Sequence, residues 1–209
     1  MLKDRRLVGY WRFEGNADDC SGNNNNGTVY GATQVDGKFG KAYNFDGTQY
    51  ISKASGNSIL DLTNSVTISC WIKTSTAATT DYIAFFTRGL DAYFLTNGNG
   101  VADDAKVVLY IYSGGWNCIK GNTKINDNIW HHIVGTYDHQ FMKVYLDGIL
   151  DCTPLALNGD ISIDSSNIYY YIGRYGNNYI TSIIDELKIY NRALSEAEIR
   201  QDMMNFNPF

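Results

Sequence analysis

Turn residues interrupt this chain at short intervals from end to end, and that punctuation decides what it can fold into. Twenty glycines and 21 asparagines stand against two prolines. Glycine and asparagine tolerate the positive φ of tight turns. Between them lie short runs rich in Tyr, Phe, Val and Ile, which suit a pleated, half-buried surface. Such runs occupy 8–13, 66–73, 106–112, 129–137, 142–146 and 183–190. Asp46-Gly47 and Asp147-Gly148 are hairpin-type turn pairs. Only the C-terminal stretch reads as helix. There Ser195-Glu196-Ala197-Glu198 is a capping box, Leu194 and Ile199 are spaced for a hydrophobic staple, and a helix to about Asn205 is expected. Many short strands, no linker and no internal repeat predict an all-β sandwich forming one domain over 1–209.

Composition narrows the function classes. Hydrophobic residues make up 44 % of the 209 and charged residues 19 %, enough for a sizeable core. Lys and Arg number 17 against 22 Asp and Glu, a net charge of −5 with no basic cluster, so nucleic acid is not an expected partner. No run approaches the ~20 apolar residues that span a bilayer, and no membrane insertion is expected. The four cysteines, Cys20, Cys70, Cys118 and Cys152, permit two disulfides in three pairings. Cys70 sits in the apolar run 68–72 and reads as a packed thiol. No apolar stretch follows the basic start, so any export signal is expected elsewhere in a longer chain.

Seven segments in order carry a family resemblance. They are Gly9-Tyr10-Trp11-Arg12-Phe13-Glu14, Gly22-Asn23-Asn24, Gly37-Lys38-Phe39-Gly40-Lys41-Ala42-Tyr43-Asn44-Phe45-Asp46-Gly47, Val66-Thr67-Ile68-Ser69-Cys70-Trp71-Ile72-Lys73, Trp130-His131-His132-Ile133-Val134-Gly135-Thr136-Tyr137-Asp138, Val144-Tyr145-Leu146-Asp147-Gly148, and Ile184-Asp185-Glu186-Leu187-Lys188-Ile189-Tyr190-Asn191-Arg192-Ala193-Leu194-Ser195. The run resembles the laminin-G-like branch of the concanavalin A-like lectin/glucanase superfamily. The resemblance implies a jelly-roll sandwich of two curved antiparallel sheets with a short C-terminal helix. It also implies a sugar-binding or adhesion module of an extracellular or cell-surface protein, set within a multidomain chain. Relatives hold a structural calcium ion where the first strand, a turn and the last strand meet. Carried over, the resemblance implies as its ligands a carbonyl near Phe13 or Glu14, the carbonyl of Gly47, and the side chain and carbonyl of Asp185. Calcium accepts such an oxygen set.

Hydrolytic relatives carry E-x-D-x-E or E-x-D-x-x-E on one strand face, because a glycosidase needs two carboxylates converging on one bond. The sequence has no such run, and no Gln-x-His strand of the lyase type. Trp11, Trp71 and Trp130 match core positions of the family, and His131 and His132 follow a core strand start. The expected function is therefore non-catalytic carbohydrate binding to a polysaccharide or glycan. Sugar recognition needs flat aromatic faces and planar hydrogen-bonding groups. Two regions offer both. One holds Arg88, Tyr93, Tyr112 and Trp116, and the other holds Arg174, Tyr175 and Asn178. A protein-interaction or adhesion domain is the second reading, and a glycan hydrolase or lyase the third.

Overall fold

The computed structural model describes residues 6–54, 59–76, 83–90, 92–98, 105–163 and 169–204. The strands, in chain order, are β1 (Leu7–Trp11), β2 (Thr28–Tyr30), β3 (Thr33–Asp36), β4 (Lys41–Asp46), β5 (Tyr50–Ala54) and β6 (Val66–Lys73). Next come β7 (Ala84–Arg88), β8 (Tyr93–Asn97), β9 (Lys106–Tyr112), β10 (Trp116–Lys124), β11 (Trp130–Tyr137) and β12 (Phe141–Leu146). The series ends with β13 (Ile149–Leu150), β14 (Leu155–Ala156), β15 (Tyr169–Ile172), β16 (Arg174–Tyr175), β17 (Asn178–Tyr179) and β18 (Thr181–Tyr190). One helix, α1 (Glu196–Met204), follows.

Two antiparallel sheets face each other. The first has nine strands, in the order β13-β12-β11-β6-β18-β4-β3, with β1 also on β18 and β14 also on β12. The second has seven, in the order β10-β9-β8-β7-β15-β5-β2. This is the all-β jelly-roll sandwich with a short C-terminal helix that the sequence predicts.

Alternation along the strands explains the layering. In β6, Val66, Ile68, Cys70 and Ile72 join the core between the sheets. From the seven-stranded sheet come Phe86, Tyr93, Leu95, Leu109 and Tyr170. Gly135 in β11 marks one close approach: a Cβ there would lie 2.9 Å from Leu95 Cδ1 and 3.0 Å from Leu109 Cδ1. The polar tips of the buried aromatics find carbonyls, as burial requires. Trp11 Nε1 donates to Asn25 O at 2.9 Å, Tyr170 Oη to the same oxygen at 2.5 Å, and Tyr93 Oη to Leu60 O at 2.6 Å. The Asp19 carboxylate accepts from the backbone N–H of Tyr10, Ser21 and Asn25, so the Asn-rich loop after β1 folds back as an ordered plug.

Helix α1 lies on the outer face of the nine-stranded sheet. The capping box forms: Ser195 N–H donates to Glu198 Oε2 at 2.9 Å, and Glu198 N–H to Ser195 Oγ at 3.4 Å. Leu194 and Ile199 join Val134, Tyr145 and Tyr190 in one apolar cluster. The helix extends to Met204, and the expected end at Asn205 lies outside the described residues. Among the described residues no helix is long and apolar enough to cross a membrane. All four cysteines are free thiols, so the disulfides their even number permits are not formed. Cys70 is buried, and burial pushes its thiol pKa up.

Asp202 fastens this helix to the sheet. Its carboxylate accepts from Lys188 Nζ, Tyr190 Oη and Ser69 Oγ, each at 2.8 Å. Burial alone would raise its pKa, but His132 and the Lys188 ammonium outweigh burial and hold the carboxyl well below the usual carboxylate range. A depressed acid stabilises the fold above its unfolded pKa of about 4, and that contribution drains away as pH falls through the folded value. Removing one partner of a buried ion pair costs about 3–5 kcal/mol. Asp202→Ala is therefore expected to lower stability by about that amount at pH 7. The loss relative to the parent protein should shrink below pH 4. Urea midpoints measured from pH 2 to 8 check this, and a penalty constant across that range contradicts the assignment.

Candidate functional site

The outer face of the seven-stranded sheet gathers most of the aromatic residues that the core does not use. Register places Tyr112 directly opposite Trp116, and Cys118, Tyr110 and Phe94 in one row across β10, β9 and β8. The β9–β10 turn makes the first pair possible. Gly114 and Gly115 have φ of +63° and +148°, a backbone that suits glycine. Asn117 Nδ2 braces the turn, donating to Ser113 O at 3.1 Å and Gly115 O at 2.9 Å. Trp116 is thus fixed at the rim with 42 % of its surface exposed. Its ring stands edge-on to Phe94 at 5.3 Å and to half-buried Tyr112 at 5.1 Å. Phe94 and Tyr110 stack beneath it at 4.4 Å and are themselves buried.

A small hairpin, β16–β17, sits against this face. Tyr175 stacks on Phe94 at 4.5 Å and its Oη donates to Leu90 O at 3.1 Å. Arg174, next to it, turns the other way, over Tyr50, Tyr171 and Tyr179. Asn178 pairs with Tyr175 across the hairpin and is half-buried. The hairpin therefore divides the face into two aromatic patches. Trp116, Tyr112 and Tyr175 belong to one and Arg174 to the other. Tyr30, Tyr50, Tyr169 and Tyr171, which complete the second patch, were not signalled by the sequence, where they read as ordinary strand tyrosines.

Two expected binding residues are corrected. Tyr93 has no exposed surface and points into the core, where Leu60 O takes its hydroxyl. Arg88 is 2 % exposed and engages the Asp61 carboxylate through Nε and Nη2. A register shift between Ala84 and Phe86 in β7 causes the inversion. Ala84 lies on the outer face with Phe94, whereas Phe86 lies in the core and Arg88 pairs with inward Tyr93.

Of the expected calcium ligands, Glu14 and Asp185 both meet the 37–41 turn, whereas Gly47 lies further along the sheet. A Cβ on Gly47 would lie 3.3 Å from Thr181 Oγ1. Thr181 is four residues along β18 from Asp185, or about 13 Å of strand. Asp185 serves the 37–41 turn. It is fully buried, accepts from Phe39 N–H at 2.9 Å and Glu186 N–H at 2.8 Å, and burial pushes its pKa up to about 7. Glu14 accepts from Lys41 N–H at 3.3 Å in the same turn. Among the described residues no group of three or more metal-ligating side chains assembles. Adding calcium or a chelator is expected to leave the thermal midpoint unchanged, and a calcium-dependent rise in a melting scan would contradict this.

Acidic groups are sparse along the strands of the aromatic face among the described residues. None of the seven strands contains an Asp or Glu. His131 is held by Asp147 at 2.8 Å and Asp127 at 3.2 Å, and His132 by Ser69 at 2.9 Å, both in the other sheet.

Comparison with known proteins agrees with this architecture. No curated protein sequence matches the chain. Among solved structures, domain 4 of AbnA, a GH43 extracellular arabinanase from Geobacillus stearothermophilus, in complex with arabinotriose, superposes with a TM-score of 0.75 at 22 % identity, covering 95 % of this chain and 98 % of that one. The binding domain of Paraclostridial Mosquitocidal Protein 1 does so with a TM-score of 0.73 at 22 % identity over 97 % of this chain. The binding domain of botulinum neurotoxin DC, in complex with SialylT, gives 0.74 at 14 % identity over 98 %. The chain spans about half of each toxin domain, 52 % in both cases. A family model described as concanavalin A-like lectin/glucanases superfamily, Laminin_G_3, matches residues 45–200, and the chain belongs to that family.

Proposed function

We propose that this domain is a non-catalytic carbohydrate-binding module that lays a glycan chain against Trp116 and Tyr112. The observation that carries the reading is a rigidly held, exposed indole on a sheet whose strands bear no carboxylate. A contiguous exposed apolar patch, unlike a single exposed side chain, marks a site that meets a ligand or partner. A sugar ring presents a C–H face that suits an aromatic plane, while its hydroxyls need polar neighbours. The Tyr112 hydroxyl and the Asn178 amide would supply these. The similar arabinanase domain was solved with arabinotriose, and the similar toxin domain with SialylT. Both are binding parts of larger proteins, which supports a module carried in a larger extracellular or cell-surface chain. Catalysis would need paired acids within reach of the bound ring, and the strands beneath supply none.

A protein-interaction role is the second reading. Phe141, Ile149, Leu150 and Leu155 stand exposed where β13 and β14 flank β12. Exposed apolar groups at a sheet edge favour a protein partner.

Titration with arabinotriose and a neutral glycan array, followed by tryptophan fluorescence and calorimetry, separates the two. Binding of at least one neutral glycan is expected. Trp116→Ala should weaken it at least tenfold, about 1.4 kcal/mol, with the melting midpoint little changed. Silence across the array, or an unaffected Trp116→Ala variant, would sink the proposal in favour of the protein-binding reading.

A further inference from the structure

We infer that the second aromatic patch, on the other side of the β16–β17 hairpin, is a separate binding site for an acidic sugar, one whose ring carries a carboxylate. The inference rests on the saccharide reading above and adds a ligand class to it. Tyr30 and Tyr50 lie opposite each other on β2 and β5 and stack at 4.5 Å, 12° from parallel. Tyr169 and Tyr171 stack at 5.8 Å on β15, the neighbouring strand. Tyr30 is 46 % exposed and Tyr169 42 %, so the patch opens to solvent at both ends.

Arg174 sits among these rings. Its Cζ lies 4.8 Å from the centroid of Tyr50, 5.0 Å from Tyr171 and 5.4 Å from Tyr179. Its Nε donates to Gly176 O at 2.6 Å, which fixes the plane of the guanidinium. Among the described residues, no carboxylate pairs with it, and its terminal nitrogens make no hydrogen bond. A positioned guanidinium with unused parallel N–H groups is the shape that binds a carboxylate through two bonds. The tyrosine faces partly desolvate the site, which strengthens that pairing. No carboxylate on β2, β5 or β15 competes for it.

A single guanidinium balances one negative charge, which is what a uronate ring brings. The ring's C–H face would stack on a tyrosine, its carboxylate would meet the Arg174 fork, and the tyrosine hydroxyls would read its hydroxyls. A lysine at this position would offer a point charge without the planar fork.

Calorimetry with trisaccharides of galacturonate, mannuronate and glucuronate, each beside its methyl ester, isolates the carboxylate as the only difference. At least one uronate is expected to bind ten or more times more tightly than its ester. That preference should fade with added NaCl, because the pair is partly exposed. Arg174→Gln should erase the preference, and Arg174→Lys should recover only part of it. Tyr30→Ala, an exposed change that spares the fold, should weaken uronate and ester alike. Trp116→Ala should leave the uronate-to-ester ratio unchanged, because it belongs to the other patch. If neutral glycans bind but every uronate equals its ester, or if Arg174→Gln keeps the preference, this inference fails and the saccharide reading stands. If no sugar of either kind binds, both fail together.

Discussion

A single ten-residue strand has to satisfy three neighbours, and the sandwich is arranged around how it does so. Strand β18 borders β6 along one edge. Along the other it pairs with β4 through Thr181–Ile184 and with β1 through Leu187–Tyr190. Ile184, Leu187 and Ile189 all reach the core. Strict alternation cannot place 184 and 187 on one face. One residue is taken up by a bulge between Asp185 and Lys188, where Glu186 adopts a φ of +50°. The bulge resets the alternation so that the second half of the strand also faces inward. It also draws two acids out of water. Asp185 closes a turn, and Glu186 meets the Tyr10 hydroxyl with Arg12 at 3.8 Å. The β16–β17 hairpin is tied in just before this strand, through Gly173 N–H on Phe85 O at 3.2 Å and Ile180 N–H on Gly173 O at 3.0 Å.

What the chain made legible was local. The strands, the hairpin turns and the capped helix follow from turn residues, alternation and a four-residue box. The closeness of Tyr112 and Trp116 follows from a Ser-Gly-Gly turn between two strands. The errors share one physical origin, which is that a bulge leaves no clear mark in composition. Regular alternation from Ala84 would turn Arg88 outward, and one register shift turned it inward. In Tyr93-Phe94, either ring suits either face, and only the pairing with Arg88 decides that the tyrosine goes in. Folding of the 174–179 segment against the sheet joins residues some 80 apart, as in Tyr175 on Phe94, and no local signal announces that.

The abundance of tyrosine, 16 of 209 residues, acquires a meaning from these placements. Tyr93 and Tyr170 are inward, with their hydroxyls capping loop carbonyls. Tyr110 and Tyr175 form the supporting layer beneath or beside Trp116. Tyr30 and Tyr169 stand open to solvent. One side chain serves all three depths because its ring tolerates burial while its tip requires a polar neighbour. A phenylalanine in the open layer would leave an oily surface, and an aliphatic residue would offer no flat plane.

Leu7, the first residue of β1, packs with Leu194 and Ile199 in the cluster beneath the helix. Head and tail of the folded unit therefore meet on the nine-stranded layer, with the whole thickness of the core between them and the tyrosines. The first strand and the last helix are thus closed together on the layer opposite the aromatic face.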